Sequence, residues 1–351
     1  MKKTFIRLSA FLLCLVLLAG AMPFSLLAAD VARPVITEVG MSIGADFGIH
    51  FYVEAPEGVN EVGAYIGDAR VRGYEQEDGR YRVSYRHLTP KQMTEILSAE
   101  PYYVKGSHEI KGSTCDFSVC DYATTLLAAD PTPELRALLV AMLNYGTAAQ
   151  RHFLHNIGNF ANRNLSSGDR SYTTREYKEN LFVLEGEPTQ TVATISGATL
   201  LVQNRVRFKI FVDVEGQEEL RYNKGAAPDE VVNGMTPEEE AAALVEGYYV
   251  EISPNEDFSD AIAYPLVKCS GNKGYRALTD GLYATEYSDV FYFRVVTPEG
   301  IGTAISYSVE TYAARQNDKN TTQGRLMAAM ILFGDAARAY EAAFAVEESQ
   351  K

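Results

Sequence analysis

Ser42 lies in Gly40-Met41-Ser42-Ile43-Gly44, a string that matches the nucleophile elbow of serine hydrolases. That elbow turns a strand sharply into a helix, so that the serine oxygen stands clear of the sheet. Here a strand-like segment follows instead, and the corresponding stretch of the second half, Gly197-Ala198-Thr199-Leu200, has no serine. All five histidines (His50, His87, His108, His152, His155) fall in the first half. His152 and His155 lie three apart near a helix end, where the helix dipole favours cations. A metal there would need acids from elsewhere, and no Cys/His spacing supports zinc. Asn255-Glu256-Asp257-Phe258-Ser259-Asp260 gathers oxygen ligands but lacks the Asp-x-Asp-x-Asp-Gly ladder and closing glutamate of a calcium loop, so 255–260 reads as a turn. A glycosidase needs two carboxylates across a cleft, and 46 acidic residues offer too many pairs for sequence to choose between. No glycine-rich phosphate loop or nucleotide fingerprint occurs. The sequence therefore predicts no catalytic residue, no metal site and no cofactor.

Tyrosine is the unusual abundance, with 22 Tyr against no Trp. Tyr249, Tyr264, Tyr275, Tyr283, Tyr287 and Tyr292 cluster in the second half. A side chain that is large, stiff and amphipathic serves contact surfaces well. Alternation sets Tyr249 and Glu251 opposite Tyr248, Val250 and Ile252, so Tyr249 can stand outward. Tyr249, Tyr264, Tyr275, Tyr283 and Tyr292 are the candidate binding residues. The competing explanation is that tyrosine simply favours strands.

The elements that must position these residues begin with Gly48–Glu54, where Ile49, Phe51 and Val53 share one face and His50, Tyr52 and Glu54 the other. Val206–Val212 repeats the scheme with Phe208, Ile210 and Val212 inward. Further strands are expected around Val62–Ile66, Tyr81–Tyr85, Pro101–Val104, Tyr248–Ile252, Ile262–Val267 and Val290–Val296. Many short strands between turn residues favour an antiparallel sandwich or open barrel. Ser118 and Ser308 are natural N-caps, with Asp121 completing a capping box. Asp130-Pro131-Thr132-Pro133 ends one helix and starts another, with Thr132 as cap and Pro133 at the first helical position. Leu135, Leu138, Leu139, Met142, Tyr145, Gly146, Ala149 and Phe153 then form one apolar stripe, mirrored by Leu326, Met330, Phe333, Gly334 and Ala337. Short helices are also expected to start at Thr89-Pro90-Lys91-Gln92 and, within an extra segment 216–247, at Thr236-Pro237-Glu238-Glu239.

These parallels extend into a repeat. Gly112, Phe117, Ser118, Val119, Tyr122 and Ala123 match Gly302, Tyr307, Ser308, Val309, Tyr312 and Ala313 at one offset. With a loop two residues shorter, Leu138, Ala141, Met142, Tyr145, Gly146, Ala148 and Ala149 match Leu326, Ala329, Met330, Phe333, Gly334, Ala336 and Ala337. Agreement across strand, cap and helix predicts two copies of one module. The expected fold class is α+β: two tandem β-sandwich-like modules, each followed by a C-terminal helical pair. The expected boundaries are a signal peptide at 1–29, a module at 32–160, a polar linker at 161–187 able to donate a strand, and a second module at 188–345.

Residues 1–29 read as a secretory signal: Lys2, Lys3 and Arg7, an uncharged apolar run from Leu8 to Ala21, then Pro23, Ser25 and small residues at Ala28–Ala29. The run is short for a membrane span of ~20 residues. No lipoprotein cysteine stands at position 21, and Glu347–Lys351 resembles no sorting signal. The expectation is a secreted, extracellular chain, or one associated with the cell surface, with no membrane contact after signal cleavage. Loss of three of the 32 basic residues would leave 29 against 46 acidic ones, which disfavours nucleic acid and anionic lipid as partners. Cys14 would leave with the signal; Cys115 and Cys120, roughly 15 Å apart on extended chain, are poorly placed to pair, so no structural disulfide is expected between them, and Cys269 would stay odd.

Gly48-Ile49-His50-Phe51-Tyr52-Val53, the helix string Asn144-Tyr145-Gly146-Thr147-Ala148-Ala149-Gln150, then Phe160-Ala161-Asn162, Tyr283-Ala284-Thr285-Glu286-Tyr287 and Phe333-Gly334-Asp335-Ala336-Ala337 resemble a recurrent tandem module of exported and surface proteins of anaerobic Gram-positive bacteria. The resemblance spans nearly all of the chain after residue 29 and carries over no catalytic residue. It implies company with surface-attachment or adhesive domains. The expected function is a non-enzymatic binding protein for a glycan or a host or extracellular protein, glycoproteins and immunoglobulin included. The alternatives are an extracellular enzyme on glycans or peptides, and a structural spacer.

Overall fold

The computed structural model describes residues 33–43, 47–172, 176–179, 182–184, 186, 188–190, 192–215, 244–268, 274–316 and 320–349. The signal segment, the helix expected at Thr236 and Cys269 lie outside the described residues. The fold is mixed α/β and mostly antiparallel sheet. It divides into two compact units, one running to Tyr172 and taking in Ala336–Lys351, the other spanning Thr173–Asp335. No described helix is long and apolar enough to cross a membrane.

Unit 1 opens with β1 (Val35–Ile43), β2 (Phe47–Glu54), β3 (Glu61–Ile66), β4 (Ala69–Arg72), β5 (Tyr74–Glu75) and β6 (Tyr81–Leu88). β7 (Leu97–Lys105), β8 (His108–Lys111) and β9 (Cys115–Phe117) complete its strands. They form a sheet ordered β1-β2-β6-β5 and a second ordered β4-β3-β7-β8, with β9 also on β7. The alternation in β2 sends Ile49, Phe51 and Val53 to the inner face, where all three are fully buried with Val83, opposite Val62, Ala64, Ile66 and Tyr103 of the second sheet. Phe51 meets Phe117 edge-on at 6.2 Å across the two sheets. Burying each such large side chain stabilises by ~1.5–3 kcal/mol, which is why period-two patterning makes a sandwich here. The outer face of β2 departs from the simple inside–outside reading: His50 is 0% and Tyr52 7% exposed. Both lie under neighbouring side chains, Tyr52 beneath the Arg80 guanidinium, 4.9 Å from its ring.

Ser118 caps α1 (Val119–Ala128) by accepting from the Asp121 N–H at 3.0 Å. Asp130 (φ 53°) breaks the chain, and Thr132 caps α2 (Pro133–His152) with Pro133 in the first turn. A 3-10 turn at Pro90–Gln92 packs against α2 at Gly146. A Cβ there would stand 2.5 Å from Met93 Sδ, 3.0 Å from Ala161 Cβ and 3.2 Å from the Pro90 carbonyl.

Unit 2 contains β10 (Ala193–Leu201), β11 (Arg207–Val214), β12 (Leu244–Ser253), β13 (Ile262–Lys268) and β14 (Tyr275–Leu278). β15 (Val290–Thr297), β16 (Gly300–Ile301) and β17 (Ile305–Ser308) follow. Here one sheet runs β10-β11-β14-β13-β12-β15-β16, with β17 also on β15. It curls until Phe208 of β11 meets Phe291 and Phe293 of β15 and Tyr307 of β17, at 5.4, 5.3 and 5.9 Å. β13 pairs with both β12 and β14. In unit 1 the corresponding connection is interrupted at Gly73, between β4 on β3 and β5 on β6. Ser308 caps α3 (Val309–Arg315), accepting from the Thr311 N–H at 3.0 Å. α4 (Thr322–Ser349) then packs Gly334 on a 3-10 turn at Ala284–Glu286. A Cβ on Gly334 would lie 2.8 Å from both the Ala284 carbonyl and Tyr287 Cβ.

Residues 161–172 read from sequence as the opening of a linker, yet they pack on unit 1. Asn144 donates to the Asp169 carbonyl at 2.7 Å and accepts from Asn162 at 2.8 Å. Gln150 donates to Thr94 Oγ1 and the Asn159 carbonyl, both at 3.0 Å, and accepts from the Ala161 N–H at 2.9 Å. Ala161 and Leu165 are buried, while much of the polar sequence stays exposed, so the segment is held to the helix by a few specific hydrogen bonds. Among the described residues, the expected strand donation amounts to one bridge, Val183 to Ile305. At the other end, the division between units falls inside α4, a helix about 42 Å long, so module and helix boundaries do not coincide.

Gly146→Leu and Gly334→Leu are each expected to destabilise the chain by ~1–3 kcal/mol in urea unfolding, with hydrogen exchange accelerated locally at 89–93 for the first and 283–287 for the second. An exchange pattern unchanged at the turns would contradict the packing. Gln150→Ala leaves the Ala161 N–H and Asn159 carbonyl without their partner, so proteolysis within 156–170 is expected to rise several-fold while strand exchange in β1–β6 stays as it was.

Candidate functional site

The polar chemistry of unit 1 converges on the outer face of β1, β2 and β6. Pairing places Gly40 opposite His50, Ser42 opposite Gly48, and His50 opposite Ser84. Directly opposed residues share a face, so Ser42, His50 and Ser84 meet. His50 Nε2 lies 2.9 Å from Ser42 Oγ and its Nδ1 2.9 Å from Ser84 Oγ. Burial, then the charges of Arg82 and Arg86, lower the imidazole from 6.5 to about 4. It is therefore neutral at physiological pH, with one ring nitrogen donating and the other accepting. One serine oxygen takes the ring N–H and keeps its own proton free to donate outward; the other serine spends its proton on the ring.

Ser42 and His50 have the separation of a nucleophile and its base. The chemistry differs in what surrounds the base. A catalytic histidine is oriented and stabilised as imidazolium by a carboxylate; here a second serine occupies that position and two arginines oppose the positive charge. A base at about 4 is far from the pH at which general-base catalysis works well. Ser42 also sits within a strand, not at a strand-to-helix turn. Ser42 and His50 stand out in the sequence separately, whereas Arg82, Ser84 and Arg86 do not. Their alternate spacing on β6 was a visible signal; the pairing of β2 with β6 was not.

The tyrosines of unit 2 do not form one face. Tyr249 and Tyr292, both half-buried, lie on the outer face of β12 and β15. Glu251 and Arg294 sit between them, Arg294 Nε donating to Glu251 at 2.7 Å, so about 13 Å of strand separates the two rings. Tyr264 opposes Val250, and Tyr275 opposes Val212, which puts both on the inner face. Tyr275 is 8% exposed, and Tyr264 reaches Asp280 at 3.3 Å. Tyr283 precedes the 3-10 turn, where its N–H is taken by Glu286 at 2.8 Å. Tyr249 and Tyr292 flank an ion pair; the other candidates serve the core and a turn.

Among the described residues no group of three His, Cys, Asp or Glu is arranged to hold a metal. In the 255–260 turn, Asn255 donates to Asp260 at 2.9 Å and Ser259 N–H to Asp257 at 3.0 Å, so the oxygens serve the turn itself. His155 pairs with Glu95 at 2.6 Å, whereas the His152 ring packs edge-on against Phe153 at 4.7 Å. Cys115 and Cys120 are free thiols. Cys120 is buried, donates to the Ala161 carbonyl and has its thiol pushed up by burial.

No known protein family matches the chain, and no curated protein does. Among solved structures it is similar to a marsupial T cell receptor at 10% identity, over 74% of this chain and 90% of that one, with a TM-score of 0.16.

The His50 environment has a measurable consequence. The folded value lies below the unfolded one (about 4 against 6.5), so the unfolded chain takes up the proton first. The stability tied to this group is complete above pH 6.5 and declines as pH falls toward 4, by roughly 2–3 kcal/mol. NMR titration should find the His50 ring neutral at pH 5, and His50→Gln should flatten the decline. A midpoint near 6.5 for this ring would contradict the environment described.

Proposed function

We propose that the chain is a secreted or surface-associated binding protein without catalytic activity, built from two copies of one β-sandwich-like module, each closed by a helical pair. The duplication is supported by pairings that run in parallel. β2 lies between β1 and β6 as β11 lies between β10 and β14, and β7 carries β3, β8 and β9 as β15 carries β12, β16 and β17. In each unit the helix crosses a 3-10 turn at a glycine.

The observation that carries the binding reading is the divergence of equivalent outer faces on one scaffold. Where β2 places His50 between Gly40 and Ser84, β11 places Lys209 between Thr199 and Leu278. Lys209 is 1% exposed, with its ammonium 5.2 Å from the Phe211 ring. Shared framework with unshared polar surface suits modules that recognise different ligands; a duplicated reaction would keep its reacting groups. Ligands in keeping with the sequence are glycans and host or extracellular proteins.

The Ser42–His50 distance is the one observation that favours the rival, an extracellular hydrolase. An array of glycans and extracellular proteins, immunoglobulins among them, together with esterase, glycosidase and peptidase substrates, separates the two. Saturable binding without turnover is expected. Turnover abolished by Ser42→Ala would overturn the reading.

A further inference from the structure

We infer that the outer face of β1, β2, β5 and β6 is a binding site for an acidic saccharide, with Arg82 and Arg86 taking its carboxylate or sulfate, Ser42 and Ser84 its hydroxyls, and Tyr74 its ring face. The inference rests on the binding reading above and specifies the ligand class for one unit.

Four observations converge on it. First, the chain carries 46 acidic against 32 basic residues, yet among the described residues neither Arg82 nor Arg86 has a carboxylate partner. Other arginines of the same unit are paired, Arg80 to Asp78 at 2.6 Å and Arg70 to Glu61 at 3.1 Å. A buried donor without an acceptor is costly, and the Arg82 Nε is buried with no hydrogen-bond partner. Planar guanidinium forks match carboxylate and sulfate in two-point geometry. Both charges also fall on His50, which places them over one spot.

Second, the polar groups there are packed side by side. Gly48 has no side chain, and a Cβ there would meet Ser42 Oγ at 2.5 Å and, at 3.6 Å each, Arg86 Cγ and His50 Cε1. The stem of Arg86 thus lies beside Gly48, next to Ser42 and His50, and the absence of a side chain at position 48 is what lets the three come together. Third, the neutral imidazole leaves one serine proton to donate outward and further oxygen lone pairs to accept, which is the polarity of a sugar hydroxyl's partner. Fourth, Tyr74 opposes Arg82 directly across β5 and β6, so it shares the face, and it is 70% exposed. An exposed aromatic ring beside a guanidinium offers a stacking surface next to the charge. An acidic peptide would be served by the arginines alone and would leave the serine pair and Tyr74 without use. The overall negative charge of the chain opposes such a ligand only weakly, because exposed charges beyond ~8 Å are screened at physiological salt.

The test uses the full chain and a disaccharide bearing one glucuronate carboxylate and one sulfate, followed by calorimetry and the ring resonances of His50. Controls are the neutral disaccharide of the same linkage, inorganic sulfate and a glutamate-rich peptide. Saturable binding of the acidic disaccharide is expected, with the His50 ring shifting in step and its titration midpoint rising, since a bound anion offsets the arginine charges. Arg82→Gln and Arg86→Gln should each weaken binding about tenfold or more, and Tyr74→Ala should weaken the disaccharide but leave inorganic sulfate unchanged. Equal affinity for the neutral disaccharide, for inorganic sulfate or for the peptide would overturn the inference. So would binding that both arginine variants retain, even with the array finding ligands elsewhere on the protein, in which case the binding reading survives alone.

Discussion

A helix can lie on a turn at backbone distance only where it has no side chain in the way. At Gly146 the space a Cβ would take is already occupied by Met93, Ala161 and the Pro90 carbonyl, and at Gly334 by Ala284 and Tyr287. The rest of each unit depends on that approach. The 3-10 turn comes between β6 and β7 in unit 1 and between β14 and β15 in unit 2, so seating it against the helix ties a strand-to-strand connection to the helical layer. In unit 1 the helix also orders the segment beyond its C-terminus: Asn144, Thr147 and Gln150, about one helical turn apart, hydrogen-bond Asp169, Asn162 and Ala161. Any side chain at position 146 would disturb the turn and the loop together.

The same economy explains the outer face of β2. A strand with one wet face would leave His50 and Tyr52 to water. Here Arg80, held by Asp78 and Glu38, covers Tyr52, and His50 is enclosed by two serines and two arginines. Burial first, and then the two nearby arginine charges, keep the imidazole neutral, and neutrality decides its chemistry: it can orient hydroxyls but takes a proton poorly. A carboxylate in place of Ser84 would raise the ring toward the range of a working base. The arrangement therefore holds two hydroxyls by hydrogen bonds to a neutral ring.

Sequence patterning made much of the framework legible. The alternation of Ile49, Phe51 and Val53, the serine caps at 118 and 308, the Thr132-Pro133 helix start and the glycine in each apolar stripe all follow from local physics: side-chain period, cap hydrogen bonds and the fixed φ of proline. Where the reading stopped, the cause was non-local. Residues 161–172 look like a solvated linker by composition, because nothing in a polar segment says whether its hydrogen bonds go to water or to a helix. The tyrosines of unit 2 look like a cluster because they are close in sequence. Register sends Tyr249 and Tyr292 to one face and Tyr264 and Tyr275 to the other, and register is set by partners on other strands.

By itself the sequence determined the elements, their caps, their inward faces and the internal repeat, since each depends on neighbours within about one turn of helix or a few residues of strand. The tertiary structure alone decided which strands pair, and hence that Ser42, His50, Arg82, Ser84 and Arg86 share one face although up to 44 positions separate them. β1 and β2 are neighbours in sequence, but pairing β6 on β2 depends on closing the chain between Glu54 and Tyr81 around a common core, and no local preference of the chain encodes that choice.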